Sequence, residues 1–433
     1  MNWVQRLQKR ESEGAPIRVG IVGAGQMGSG LVSQMQEMSG IRTVAIADLT
    51  ANRAAAGYAV AGIPSHEVRA CHGKEQAQDA IAANLHVATD DINLIYTLPE
   101  VDVVVEATGI PEIGAQVAYG AIMARKHIVN MNVEADATVG YILSRLARAA
   151  GVVYTLAAGD EPGALKELYD FATGLGFEVV TIGKGKNNPL DRAATPDSCR
   201  ERAARKHMNP KMLASFEDGT KTMVELTAIG NATGFKPEIR GCRGLQATPE
   251  TLPHVFVPRA AGGCLDAPGA IDYAVGNVAP GVFIIITTSQ RKVIEDLRYL
   301  KISGQGGYWS LYRPYHLANL ETPISIARAV LYGDTTLATE QSPSCETIAT
   351  AKRDLQAGEQ IDGLGGFTVY GLVEQAAIAR DENLVPLGLL PGATLKRNVA
   401  QGRPLTYDDV ELDDQQTIVQ LRRLQHLELN RPH

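Results

Sequence analysis

Cysteine is scarce in this sequence and follows no pattern. The five cysteines, Cys71, Cys199, Cys242, Cys264 and Cys345, are odd in number and widely scattered. None forms a CxxC pair, which argues against a zinc knuckle and a disulfide framework. Long apolar runs are missing as well. The longest, Val282-Phe283-Ile284-Ile285-Ile286, has the length of a strand and falls far short of a bilayer span. There is no long basic run, and a formal net charge of −7 speaks against binding a nucleic-acid backbone. Met1 to Gly14 carries Arg6, Lys9 and Arg10 among polar residues and no apolar stretch of signal-peptide length, so the cytoplasm is the expected compartment. Trp3, Val4 and Leu7 fall on one helical face, expected to dock on the body. No long repeat or low-complexity tract is found. What remains is ordinary for a globular chain: 433 residues, 45% apolar and 21% charged, with room for about three domains. With nucleic acid and membrane set aside, a small molecule is the expected partner, and a homo-oligomer, by base rate a homodimer, the expected assembly.

The most informative feature present is Gly23-Ala24-Gly25-Gln26-Met27-Gly28, directly after the apolar run Ile17 to Val22. Gly23 permits a tight turn, Gly25 lets backbone N–H groups reach a pyrophosphate, and Gly28 lets helix and strand pack closely. Such a motif is weak alone, but two neighbours support it. A second strand, Thr43 to Ala47, ends on Asp48, where a carboxylate would accept hydrogen bonds from the adenosine ribose. A third, Val101 to Val105, runs into Glu106-Ala107-Thr108-Gly109, an exit suited to nicotinamide contacts. A dinucleotide is therefore expected across Gly23, Gly25, Gln26, Met27, Gly28, Asp48, Ala107, Thr108, Gly109 and Asn132. Asp48 favours NAD by repelling a 2′-phosphate. Arg53 would neutralise one, which leaves NAD and NADP both open.

Residues 17 to about 155 alternate strands with helices, the pattern of a parallel sheet. Near Ala157 the pattern changes, and strands at Phe177–Ile182 and Gly281–Thr288 predict an α+β domain. Glu321 to Tyr332 has helical spacing with Pro323 in its first turn, Asp334 to Ser344 lacks periodicity and is taken as a linker, and Cys345 onward is rich in short strands and turns. The expected division is 1–156 for the dinucleotide-binding domain, completed by a helix over 317–333, then 157–316 for a catalytic domain and 345–433 for a small separate β-rich domain.

Four groups carry chemistry. In Ser215 to Leu226, helical spacing puts Asp218, Lys221, Thr222 and Glu225 on one face. A lysine between carboxylates suits proton transfer at a carbonyl or hydroxyl carbon; a solvated, salt-bridged face is the alternative. Gly183-Lys184-Gly185-Lys186-Asn187-Asn188-Pro189 reads as a loop after a strand, with Lys184, Lys186 and Asn188 placed to hold a phosphate or carboxylate; a solvated basic turn is the alternative. Asp160 and Glu161 stand at a helix start, where they either complement the helix dipole or, together with Asp218 and Glu225, bind a divalent cation (Mg²⁺ or Mn²⁺) or substrate hydroxyls. His316, with Arg313 and Tyr315, is either structural or part of the catalytic group.

At this point the sequence resembles homoserine dehydrogenases, through the GxGxxG strand, the Glu106-Ala107-Thr108-Gly109 exit and the Gly304-Gln305-Gly306-Gly307 loop before the Glu321 helix. It is closest to a branch with a C-terminal SAF domain, whose best known members are the 1-deoxy-D-xylulose 5-phosphate reductoisomerase-like enzymes. Gly159-Asp160-Glu161-Pro162-Gly163, Gly183 to Pro189 and Asp218-Gly219-Thr220-Lys221-Thr222 carry that likeness, with Asp354–Glu359 and Leu405–Val410 for the SAF part. Where homoserine dehydrogenases carry an Asn-Lys motif, this chain has Asn130-Met131-Asn132. The resemblance implies an α/β fold: a Rossmann-type parallel-sheet domain, an α+β catalytic domain inserted before its last helix, and a C-terminal SAF domain. It implies an NAD(P)H-dependent oxidoreductase, with NADPH favoured and a divalent cation, acting on a small polyhydroxylated substrate. Joined to the residues above, the expected enzyme uses Lys221 as general acid/base on an anionic substrate such as 1-deoxy-D-xylulose 5-phosphate, with reductoisomerisation one form of the reaction. SAF is expected to act as a lid or an oligomer contact. The rival readings are a plain dehydrogenase of a sugar acid or hydroxy acid and a dinucleotide-dependent sensor without turnover.

Overall fold

In the computed structural model, which describes residues 2–187, 190–206 and 208–430, the chain forms two compact units. The first comprises the residues up to Gly163, then Leu317–Glu340 and the residues from Gln420. Its sheet has strands β1 (Ile17–Val22), β2 (Ile41–Ala47), β3 (Val68–Ala70), β4 (His86–Thr89), β5 (Val103–Glu106), β6 (His127–Asn130) and β7 (Tyr154–Leu156). Their order is β3-β4-β2-β1-β5-β6-β7, parallel at every pairing. The strands are apolar on both faces because helices cover both sides. The order reverses between β1 and β5, which opens a crevice beyond their carboxyl ends, the usual place for a dinucleotide.

One core joins the early and late parts of this unit. Ile326 and Ala327 of the Thr322–Tyr332 helix are buried with Ile21, Leu31, Val32 and Val105, so the helix expected to complete the sheet domain packs into it. The Trp3–Ser12 helix buries Leu7 in the same cluster, while Val4 stays exposed. Two expectations need correction. The segment after Asp334 is not a free linker: Leu337 is buried, and its carbonyl accepts from Leu156 N (2.8 Å). The chain end is not wholly β-rich either. Thr417–Leu429 is helical, and Arg422 donates to Thr138 O (2.8 Å) on the Val133–Ala150 helix.

The second unit, Ala164–His316 with Gln341–Val419, has a mixed sheet. Its strands are β8 (Glu178–Lys186), β9 (Leu245–Gln246), β10 (Ala270–Val275), β11 (Val282–Thr287), β12 (Gly304–Gln305) and β13 (Tyr308–Arg313), ordered β12-β13-β11-β8-β10-β9. β8 runs parallel to β10 and antiparallel to β11. Gly306 and Gly307, at φ +62° and +91°, make the two-residue turn between β12 and β13, a conformation that favours glycine at both positions. The Phe256 and Phe283 rings pack at a tilt in the core of this unit, with centroids 5.2 Å apart. Later in the chain, β14 (Cys345–Ala351) and β15 (Val369–Gln375) pair antiparallel, as do β16 (Thr394–Leu395) and β17 (Val410–Glu411). The β14–β15 pair lies against the Thr220–Thr233 helix, so residues 341–419 share a compact unit with 164–316. Among the described residues no helix is long and apolar enough to cross a membrane.

Candidate active-site residues

The glycine loop of the first unit is built by backbone contact. Gly23 stands at φ +103°, and a Cβ there would lie 2.8 Å from the Ala107 carbonyl. A Cβ on Gly28 would lie 1.9 Å from Gly23 O. Gly25 is different: it caps the Gln26–Gln36 helix without a side chain, and nothing lies within 4 Å of the position its Cβ would take. Gln26 and Met27 are exposed in the first turn behind it. The loop therefore combines two glycines required by packing with one that leaves the helix N-terminus open to an anion.

Asp48 closes the loop from β2. Its Oδ2 accepts from Ala24 N (2.7 Å), while Oδ1 accepts from Leu49 N (2.7 Å) and lies 2.8 Å from Arg53 Nε. The expected ribose acceptor and its neutralising arginine thus form one pair at the loop. If Asp48 holds the ribose hydroxyls, Asp48→Ala weakens NADH by about tenfold, the cost of a charged hydrogen bond, and NADPH by less, because Arg53 is released toward a 2′-phosphate. Titration of the two dinucleotides checks this; equal weakening of both would contradict it.

At the β5 exit, Ala107 N donates to Val22 O (2.8 Å), Thr108 N donates to Glu106 Oε1 (2.8 Å), and Gly109 stands at φ +69°. Asn132 is fully buried. Its N–H donates to Asn130 Oδ1 (2.9 Å), its side-chain amide donates to Ile110 O (2.9 Å), and its Oδ1 accepts from Ala135 N (3.1 Å). Those bonds go to the chain's own groups, so Asn132 shapes the exit from behind.

Glu106 and Asp136, deeply buried in this unit, stand outside the expected site residues. Burial pushes the Glu106 carboxyl up to about 7, against the opposing hydrogen bonds from Thr108. Burial likewise pushes Asp136 up to about 7, although the Tyr154 hydroxyl donates to its Oδ1 (2.9 Å). Glu106 Oε2 and Asp136 Oδ2 have no hydrogen-bond partner among the described residues. The sequence signal for Glu106 was a carboxylate ending an otherwise apolar strand. A carboxyl whose folded pKa is raised contributes stability that is fully present below its unfolded pKa of about 4 and is lost as pH rises through about 7. Asp136→Asn removes one such group while keeping an acceptor for Tyr154. It is expected to raise stability at pH 8 by about 2–4 kcal/mol, by less at pH 5, and to leave it unchanged near pH 3. Thermal unfolding across that range reads the effect, and a variant with wild-type pH dependence would contradict it.

In the second unit, Lys184 and Lys186 were expected in a loop. They lie instead on β8, which runs on to Lys186. Alternation along the strand puts both lysines on one face and Gly183 and Gly185 on the other. A Cβ on Gly183 would sit 2.4 Å from the Phe283 ring, and one on Gly185 2.2 Å from Ala279 N. These glycines serve close packing rather than approach to an anion. Asn188 lies outside the described residues.

Both lysines are buried. The Lys184 ammonium pairs with Glu225, whose other oxygen is 3.9 Å from Lys221 Nζ. Lys186 donates to Phe216 O (2.6 Å), and burial together with the charge of Lys184 lowers its ammonium to about 8. Lys221 and Glu225, one helical turn apart, share the expected face, with Met223, Val224 and Leu226 in the core.

Asp218 does not share that face. The Pro210–Glu217 helix ends at it, and Gly219 at φ +83° starts a new helix at Thr220. Its Oδ1 accepts from Thr220 N (2.8 Å), and its Oδ2 is 2.8 Å from Lys352 Nζ. Burial pushes this carboxyl up while Lys352 and Thr220 draw it back. Arg192, also missed, donates to Asp218 O (2.7 Å).

The remaining expected residues lie at two element ends. In the first unit, Asp160 and Glu161 are half-buried where the Glu161–Gly174 helix starts, and Asp160 Oδ1 accepts from Glu161 N (3.1 Å). In the second, Arg313 at the end of β13 pairs with Glu167 (3.2 Å) and lies over the Tyr315 ring, and His316 follows, half-buried.

Comparison with known proteins accounts for most of the chain. Residues 23–156 match the homoserine dehydrogenase NAD binding domain, 159–322 the oxidoreductase DRL catalytic domain and 346–411 the SAF domain. Among curated proteins, none matches the sequence. Solved structures with a similar fold include a DOX-P reductoisomerase in complex with magnesium, at 13% identity over 74% of this chain and 70% of that one, TM-score 0.42. Another is the UDP-N-acetylglucosamine 3-dehydrogenase GnnA from Acidithiobacillus ferrooxidans, at 11% identity over 74% of this chain and 91% of that one, TM-score 0.38. The matched domains, not these distant structures, carry the assignment.

Proposed function

We propose a substrate class for this NAD(P)-dependent oxidoreductase, whose chain joins a homoserine dehydrogenase-type NAD-binding domain, a DRL-type catalytic domain and an SAF domain. The substrate is a small polyhydroxylated molecule with an anionic group, of the kind represented by 1-deoxy-D-xylulose 5-phosphate. The observation that carries this reading is the gathering of amines on β8 and the facing helix: Lys184 pairs with Glu225, Lys221 lies 3.9 Å from the same carboxylate, and burial with the charge of Lys184 lowers the Lys186 ammonium. Amines gathered in a half-dry setting suit charge-assisted hydrogen bonds to an anionic substrate group.

Bound nicotinamide supplies or accepts the hydride. In the reducing direction Lys221 gives a proton to the substrate oxygen as the carbon beneath it gains the hydride, and a carbonyl becomes a hydroxyl. Glu225 holds Lys221 on the face toward β8. Lys184 and Lys186 take the anionic tail, with Asn188 beside them in sequence. A reductoisomerisation would use the same lysine against the oxyanion formed as the carbon skeleton rearranges. A divalent cation, where one takes part, would be held by Asp160 and Glu161, whose hard oxygen donors suit Mg²⁺ or Mn²⁺. Comparing turnover of the phosphorylated substrate with that of its dephosphorylated counterpart tests the substrate class. The lysine cluster predicts loss of most of kcat/KM when the anionic group is removed, and equal use of both would contradict it.

A further inference from the structure

The Thr220–Thr233 helix, which carries Lys221 and Glu225, is bonded along its length to residues of the C-terminal domain. At its start, Thr220 Oγ1 accepts from Gly371 N (2.8 Å). Two turns on, the hydroxyls of Thr227 and Thr347 are 2.7 Å apart. At its end, Asn231 Oδ1 accepts from Ser344 N (2.9 Å) and Cys345 N (2.8 Å). One further tie, made just before this helix starts, is costly in isolation. Lys352, directly after β14, is 2% exposed and faces the fully buried Asp218 at 2.8 Å, while its ammonium donates to the carbonyls of Ala194 (2.6 Å) and Gly366 (2.8 Å).

A buried lysine–aspartate pair adds little net stability over a well-packed apolar pair, but losing one partner leaves an uncompensated charge. Its stronger effect is on geometry. Asp218 is the last residue before the left-handed Gly219, and its free oxygen caps Thr220 N, so its position sets where the next helix begins. Lys221 is one residue further along. A shift of about 1 Å in a group that delivers a proton costs about 10²-fold in rate.

We propose that Lys352 is a positioning residue for Lys221, and that the SAF domain braces the start of the helix that carries the proton donor. SAF was expected as a lid or an oligomer contact; on this view it is a structural part of the catalytic unit. The proposal rests on Lys221 as the proton donor.

The test uses the full-length protein with Lys352→Met, Lys352→Arg, Asp218→Asn and the double variant Asp218→Asn with Lys352→Met, alongside Lys221→Met. Lys352→Met is expected to lower kcat about 10²-fold with the KM for NAD(P)H unchanged, and Lys352→Arg to recover most of that loss. Amide exchange at residues 220–223 is expected to speed up in Lys352→Met and not at the glycine loop of the first unit. A lowered Tm with unchanged kcat per folded molecule and unchanged exchange at 220–223 would overturn the proposal. If Lys352→Met does not fold, the double variant leaves no buried charge unpaired and is expected to show the same fall in kcat and the same faster exchange; wild-type values for both would overturn it. Retained turnover in Lys221→Met would instead refute Lys221 as the donor, and the exchange rates would then decide on the brace by themselves.

Discussion

Lys221→Met lowers turnover by about 10³-fold or more and leaves NAD(P)H affinity within about twofold of wild type. That is the expected result if Lys221 moves the proton, since a positioned general acid contributes about 10²–10⁴ and no other amine replaces it on the same helix face. Methionine suits the test because it matches the length of the lysine stem and is itself a good helix former. Glu225 also keeps its pairing with Lys184 when Lys221 is replaced. The Thr220–Thr233 helix should therefore stay in place, and the glycine loop that would hold the dinucleotide belongs to the other compact unit. Calorimetric titration of NADH and NADPH beside steady-state turnover separates the two effects. Loss of both together would make Lys221 a structural residue.

Gly28→Ala gives the second large effect, and it is read against Gly25→Ala. The new Cβ at position 28 would meet Gly23 O at 1.9 Å, so either the loop or the helix must move. Overpacking of this kind costs about 1–3 kcal/mol. The displaced loop also carries Ala24 N away from Asp48. Gly28→Ala is expected to lower Tm by several degrees and weaken the dinucleotide by about 10²-fold. At Gly25 a Cβ meets nothing within 4 Å. Gly25→Ala should leave Tm near wild type and weaken binding alone, because the methyl enters the space where a pyrophosphate would approach the helix N-terminus. If Gly25→Ala bound as tightly as wild type, the pyrophosphate would have to lie elsewhere.

Much of the first unit was legible from the sequence because its signals are local. The Ile17–Val22 run, the glycine loop and the Glu106 exit each lie within a few residues, while the short strands Val68–Ala70 and His86–Thr89 were not singled out. In the second unit, local signals misled. Gly183-Lys184-Gly185-Lys186 has the composition of a turn, yet its alternation is that of a strand, with glycines where Phe283 and Ala279 press close. The helical spacing of Asp218 and Lys221 held no sign of a break except Gly219 between them, and a left-handed glycine separates them onto two helices. Lys352 could not be read at all, since its partners Asp218 and Ala194 are far away in the chain and only the fold brings them together. The C-terminal helix was readable from Ile418, Val419 and Leu421, all buried, but the turn-rich stretch before it set the expectation of a β-rich end.

The central claim is turnover of an anionic polyhydroxylated substrate with a nicotinamide dinucleotide. The most direct measurement is NADH and NADPH oxidation by the full-length protein with 1-deoxy-D-xylulose 5-phosphate, with and without Mg²⁺ or Mn²⁺. The account predicts substrate-dependent oxidation that is lost when the phosphate is removed and when Lys221 is replaced. Tight dinucleotide binding without oxidation on this substrate, and without reduction of NAD⁺ or NADP⁺ on sugar acids and hydroxy acids, would contradict it.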